Sequence, residues 1–321
     1  MSTAQQLVEQ EAVAAVKLAP VASKKHSLLG DYAQLFKVRV TSLLVMTAWA
    51  GYYMGAAKSS EPWLTWNLLN ALWGIGLTSA GAAALNEVLE RRLDALMKRT
   101  KDRPLPAGRM DAATGWIAGV AAVLIGSISL AITTNVLTGV LTLSTAVAYL
   151  VFYTPLKTVS PISTFVGAFP GAMPPLLGWT AVRGRVDPEA VFLFLIVFLW
   201  QFPHFQAIAW MYRDDYAAAG IKMLPVVDKA GRSVVRQMIS YGSALIPVSL
   251  MPVLFRMSGR VYLAGALLLG LGFLWFVVRL ARTNLPTTSP ESQRLARQLL
   301  QASIIYLPLL FALMMLNVVR T

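Results

Sequence analysis

Cysteine is absent from the 321 residues, which excludes a disulfide framework, a thiolate metal site and a cysteine nucleophile. Charge is scarce too. Asp, Glu, Lys and Arg make up 13% of the chain, about half of what a soluble domain carries. Histidine occurs only at His26 and His204. The first 37 residues lack the apolar core of a secretory signal, and Glu9 and Glu11, with no arginine before Arg39, are unlike a transit peptide. They read as a polar cytoplasmic tail, 1–37, ahead of a membrane domain covering 38–321.

What the chain does have is long apolar runs. A helix needs about 20 apolar residues to cross the hydrocarbon core, and such runs fall at 40–57, 64–86, 113–132, 135–152, 162–180, 189–211, 237–255, 261–279 and 301–319. A strand in lipid would have to alternate apolar with polar and close into a barrel. The fold class predicted is therefore all-α, a polytopic bundle of about nine transmembrane helices in the lipid bilayer.

The net charge of +13 could suggest nucleic acid, but its distribution says otherwise. With nine spans, 22 of the 28 Lys and Arg residues lie on one face, and only Lys58, Arg183, Arg185, Arg256, Arg260 and Arg320 on the other. Short loops rich in positive charge stay cytoplasmic. The N-terminus is thus expected inside and the C-terminus outside, and no nucleic acid need be invoked.

Twelve of the 15 acidic residues share the basic face, which the charge rule does not require. After the second span, Asn86, Glu90 and Asp94 recur every four residues, which places them within about 80° of one helix face. Three oxygen-bearing side chains where the chain leaves lipid suit Mg²⁺, which favours one or two carboxylates plus substrate phosphate. Arg91, Lys98, Arg99 and Arg103 follow and offer charge-assisted hydrogen bonds to phosphate. A solvated juxtamembrane loop is the plainer alternative. A second cluster follows the sixth span, with Asp214 and Asp215 beyond His204. An even number of spans separates the clusters, so both emerge at one mouth, where they could share metal ions and a diphosphate. An ionisable group inside a membrane is a functional candidate by default, and His204 lies about two turns inside the bilayer. The segment 153–180 is rich in Pro and Gly, either a cavity wall or a kinked helix.

These blocks resemble the UbiA-type intramembrane prenyltransferases. The resemblance rests on Asn86-x3-Glu90-x3-Asp94, on Arg99-Thr100-x2-Arg103-Pro104-Leu105, on Tyr153-Thr154-Pro155-Leu156-Lys157, on Phe202-Pro203-His204-Phe205 and on Tyr212-Arg213-x-Asp215-Tyr216. Within that family they are similar to the branch that prenylates haem. Residues four before Asp214 and Asp215 are Trp210 and Met211, so the second acid pair of many relatives is missing. The resemblance implies a UbiA-type bundle with its active-site mouth on the cytoplasmic side of a bacterial-type inner (plasma) membrane. It implies transfer of a farnesyl group from farnesyl diphosphate to a vinyl group of haem B, with Mg²⁺ as cofactor. By the same likeness, Asn86, Glu90, Asp94 and Asp215 would hold the metal, with Asp214 beside them. Arg91, Lys98, Arg99, Arg103 and Lys157 would bind diphosphate or haem propionates, and His204 would meet haem. Haem A synthase or terminal oxidase assembly factors would be partners.

Overall fold

The computed structural model describes residues 27–228, 230–283 and 286–319. Most of the expected tail, with His26, lies outside the described residues, as do Lys229, Arg320 and Thr321. No strand forms among the described residues, only a single isolated bridge between Ser258 and Val318. The helices are α1 (Leu28–Leu35), α2 (Val38–Lys58), α3 (Trp66–Asp94), α4 (Ala112–Thr133), α5 (Val136–Leu156), α6 (Ser163–Arg183) and α7 (Pro188–Met211). They continue as α8 (Arg213–Ala218), α9 (Leu224–Val227), α10 (Arg232–Leu254), α11 (Arg260–Ala281) and α12 (Pro290–Leu316). Seven, namely α3, α4, α5, α7, α10, α11 and α12, are long and apolar enough to cross a membrane. The helices α2 and α6 have the length, 21 residues each, but carry small, aromatic and proline residues where the others carry apolar bulk. They cover two more of the nine runs and pack on each other inside the bundle.

Small residues make that packing possible. A Cβ at Gly51 of α2 would land on the Pro175 carbonyl of α6, and one at Gly178 of α6 on the Ala48 carbonyl of α2. Gly74 and Gly81 of α3 face Gly126 and Gly119 of α4 in the same way. In lipid, where helices gain little from burying apolar surface, close backbone approach supplies the van der Waals energy that holds them together. Despite Pro170, Pro174 and Pro175, α6 stays helical throughout. Gln201 of α7 donates to the Ala168 carbonyl at 3.1 Å, giving α6 a side-chain tie to its neighbour.

The two ends of the bundle differ. At one, Arg183 donates to Ser59 (2.6 Å) and Asp187 (3.0 Å), Trp179 donates to Asp187 (2.9 Å), and Lys58 pairs with Glu189 (3.3 Å). Burial alone would raise the Asp187 carboxyl, but the bonds from Trp179 and Arg183 hold it below the usual carboxylate range. At the other end lie Asn86, Lys157, Asp215 and the N-terminus of α12, where Ser292 accepts from the Trp210 indole of α7 at 2.6 Å. The helix α12 begins at Pro290, eleven residues before the apolar run does. Ser289 caps it by accepting from the Ser292 N–H at 3.2 Å, with Pro at the first helical position, the usual start chemistry. The early turns carry Arg294 and Arg297, so hydropathy alone does not register them.

Gly178→Ala should lower the thermal midpoint, by a cost of about 1–3 kcal/mol for forcing α2 and α6 apart. Gly272→Ala is the control, because a methyl there meets open space. Equal midpoints for the two variants in a fluorescence melt would mean that this crossing contributes no specific packing.

Candidate active site

Helix α3 runs 29 residues, so Asn86, Glu90 and Asp94 do share a helical face. They are nearly inaccessible, at 1%, 8% and 1% exposure. Each is met by a cation from a different segment. Lys157, just past α5, donates to Glu90 Oε1 at 2.6 Å. Arg103, from the loop after α3, donates to Asp94 Oδ2 at 2.7 Å. Lys37, at the junction of α1 and α2, donates to Asn86 Oδ1 at 3.1 Å, and the Asn86 amide donates to Thr154 Oγ1 at 3.1 Å. Lys37 lies in the segment read from sequence as tail; its place directly before the first span is the signal that could have found it. Its backbone is left-handed, with φ 44°, and Asp31 of α1 is held by Arg109 at 3.0 Å, so the turn is anchored from both sides.

Electrostatics differ among these cations. Burial, with Arg103 and Lys157 nearby, lowers the Lys37 ammonium to about 8. Burial works the same way on Lys157, but the Glu90 carboxylate bonded to it and the Tyr153 ring beside it outweigh burial, and Lys157 is held above the ordinary lysine range. Its Nζ also sits 4.5 Å from the Tyr153 ring centre. Tyr149–Tyr153 is a π-helical turn within α5, a feature often found at functional sites.

The second cluster is brought to the first through Arg99. Its backbone N–H donates to Asp215 Oδ2 at 3.2 Å and its Nη2 to the Tyr216 hydroxyl at 3.2 Å. The guanidinium lies 5.0 Å and 5.7 Å from the Tyr212 and Tyr216 ring centres. Met97 packs with Ala219 and Ile221 beneath this clasp, and the Lys222 N–H reaches the Lys157 carbonyl at 2.8 Å. The two loops thus share one mouth. Asp215 is engaged with the Arg99 amide and is not gathered with Glu90 and Asp94. Asp214 and Lys98 are exposed, and Arg91 turns back to the Val88 carbonyl at 2.9 Å.

No three His, Asp or Glu side chains among the described residues could hold a metal ion by themselves. The donor set still fits Mg²⁺ delivered with a diphosphate: it is all oxygen, on one helix face, and ringed by cations that would pair with phosphate. One further carboxylate lies there. Glu87 is completely inaccessible, and neither of its oxygens has a hydrogen-bond partner.

His204 lies in α7 about 10 Å below the helix end, at 1.5 Å per residue. Its Nδ1 is 2.7 Å from Ser303 Oγ of α12, and that hydroxyl donates to the Leu300 carbonyl at 2.6 Å. Ser303 has one hydrogen, so Nδ1 must donate to it, which leaves Nε2 as a bare lone pair. Trp200 stacks on the imidazole at 4.5 Å and donates to the Ser303 carbonyl at 2.9 Å. No sequence signal pairs Ser303 with His204, since 99 residues separate them.

Among known proteins, the UbiA prenyltransferase family profile matches residues 43–316. A protein named protoheme IX farnesyltransferase from Koribacter versatilis is 55% identical over 291 residues, covering 91% of this chain and 94% of its own. One of the same name from Solibacter usitatus is 48% identical over 294 residues, 89% of this chain and 98% of its own. The fold matches a solved digeranylgeranylglyceryl phosphate synthase with TM-score 0.72 at 15% identity, over 90% of this chain and 98% of that one. It also matches a UbiA homologue from Archaeoglobus fulgidus, solved with GPP and Mg²⁺, with TM-score 0.62 at 13% identity, over 88% and 99% of the two chains. Helices, mouth and matched length agree: the chain is an integral membrane protein and belongs to the UbiA prenyltransferase family.

Proposed function

We propose that this protein transfers the farnesyl group of farnesyl diphosphate to a vinyl group of haem B, giving haem O. The observation that carries this is the 55% identity, over 91% of the chain, to a protein named protoheme IX farnesyltransferase. The buried oxygen face with its ring of cations supports it.

In this reading Asn86, Glu90 and Asp94 turn their oxygens to Mg²⁺, with Asp215 and Asp214 at the rim. Mg²⁺, when bound, supplies Lewis-acid stabilisation to the departing diphosphate. Lys157, Lys37 and Arg103 exchange a carboxylate or amide partner for phosphate oxygens and act as fixed countercharges where negative charge develops. Arg99, held between two tyrosines, keeps the two loops closed over the diphosphate, with Arg91 and Lys98 outside it. Departure leaves an allylic cation on the prenyl chain. The Tyr153 and Tyr149 rings, 5.1 Å apart, offer it electron-rich faces on the order of 1–2 kcal/mol each where water is excluded. The vinyl group attacks C1 of the chain, and water captures the resulting cation, releasing a proton. His204 presents its Nε2 lone pair to the haem iron, with Ser303 fixing the tautomer. The lipophilic substrates enter from the bilayer while diphosphate stays at the mouth.

In this reading the mouth faces the cytoplasmic side of the inner membrane, with the N-terminus inside and, with α2 and α6 counted as crossing, the C-terminus outside; the charge asymmetry of the loops supports that orientation. The product is amphipathic and stays in that membrane, where haem A synthase or an oxidase assembly factor would receive it.

Asp94→Asn should lower haem O formation roughly 100-fold or more, on the scale of losing one electrostatic contact to a developing charge. Chromatography of extracts given haem B, farnesyl diphosphate and Mg²⁺ measures this, and chelation by EDTA should abolish wild-type turnover. Near wild-type product from folded Asp94→Asn would remove the metal assignment. Ser303→Ala should weaken haem B binding about 10-fold, the usual scale for losing the partner that orients a ligating histidine, and should shift the Soret band while leaving KM for farnesyl diphosphate unchanged. An unaltered Soret band in both Ser303→Ala and His204→Ala would take haem away from this histidine.

A further inference from the structure

Glu87 has no part in the chemistry above, yet its burial requires explanation. A carboxylate stripped of water and left without hydrogen bonds is among the costlier groups a fold can hold, and each such orphan calls for a cause. Both Glu87 oxygens are unpartnered and the residue is 0% exposed. At 3.6 residues per turn it lies about 20° around α3 from Asp94 and two turns deeper, at the edge of the arc that Asn86, Glu90 and Asp94 share. The cations near it are Arg103, Lys37 and Arg109, and Arg103 makes its own hydrogen bond elsewhere, to Asp94 Oδ2, on the same stripe of α3 as Glu87.

The oxygen face is partly engaged as it stands, through Asp94 Oδ2 and Glu90 Oε1. Asp94 cannot give the same oxygen to a divalent ion and to Arg103, and a guanidinium left beside the ion would repel it. Arg103 has to move when metal binds, and a buried guanidinium without a partner is costly. We propose that Glu87 is the seat prepared for it: as Asp94 turns to the metal, Arg103 transfers one edge of its fork to Glu87 and keeps the other for phosphate. Glu87 is then a positioning residue. It is unpaired in the metal-free state because its partner is on loan to Asp94, and the exchange keeps the number of buried ion pairs constant. The inference rests on the metal reading of Asn86, Glu90 and Asp94.

The test is Mn²⁺ binding in the presence of inorganic pyrophosphate, read by electron paramagnetic resonance on full-length protein in nanodiscs. If wild-type protein binds no Mn²⁺, the metal reading itself falls. Given wild-type binding, Glu87→Gln should weaken Mn²⁺ affinity about 10-fold. In an Arg103→Gln background, where no cation needs a seat, the same change should have no further effect, a coupling that a double-mutant cycle isolates. An equal loss in both backgrounds would make Glu87 a general source of negative field, and no loss in either would make it inert; both overturn the exchange. Should Glu87→Gln fail to accumulate, a structure of the wild type with Mn²⁺ and pyrophosphate decides. Arg103 within hydrogen-bond distance of Glu87 bears the proposal out, and Arg103 still on Asp94, or turned away from both, overturns it.

Discussion

Carboxylates at the edge of a bilayer are costly unless paired, and in this protein the pairings draw three separate segments onto one face of α3. Glu90 is held by Lys157, Asp94 by Arg103 and Asn86 by Lys37. The partners come from the end of α5, the loop after α3 and the turn before α2. One helix face thereby fastens three segments into a mouth. The pairing has a second consequence. Asn86, Glu90 and Asp94 each have an oxygen engaged by a cation, so the contacts that close the mouth are ones a substrate would displace. A diphosphate fits that requirement, because it brings the negative charge that the released lysines and arginine need.

The far end of the bundle is built on a different logic. There Asp187 accepts from Trp179, Arg183 and Arg185 at 2.7–3.0 Å, and Asn67 and Asn135 each donate to the Ala181 or Thr180 carbonyls at 2.9 Å. These bonds close the C-terminus of α6 and tie it to α3 and α5. The oxygens left without a partner there, Asn67 Oδ1 and Thr134 Oγ1, belong to neutral groups, and nothing in the arrangement asks to be exchanged. One end is fixed so that the other can change partners.

Much of this could be read from the sequence because helical geometry is local. The recurrence Asn86, Glu90, Asp94 sets a shared face wherever a helix forms, and the polar clusters fall on one side once the spans are counted. The start of α12 precedes its apolar run because its first turns carry arginines, although Ser289 and Pro290 signal it. What spacing cannot supply is the identity of partners across the bundle. Lys37 looks like the end of a tail until α1 docks through Asp31 and Arg109. Ser303 is one serine among many until it meets His204. Glu87 reads as one more acid in a charged run, and only burial without a partner sets it apart.

The π-helical turn connects the apolar and ionic halves of the site. Tyr149–Tyr153 makes the wider turn of a π-helix before the chain resumes as α-helix at Thr154. One extra residue in a turn rotates everything after it by about 100° relative to a regular helix. That rotation lets Tyr153 pack where Gly167 has no side chain, while Thr154 and Lys157 turn toward α3 to meet Asn86 and Glu90. Tyr153 and Lys157, four residues apart, share one helical face, so the ring and the lysine reach the site together. A reaction that parts an anion from a carbocation needs both at once: a fixed cation for the leaving group and, within a few ångströms, a ring for the charge left behind.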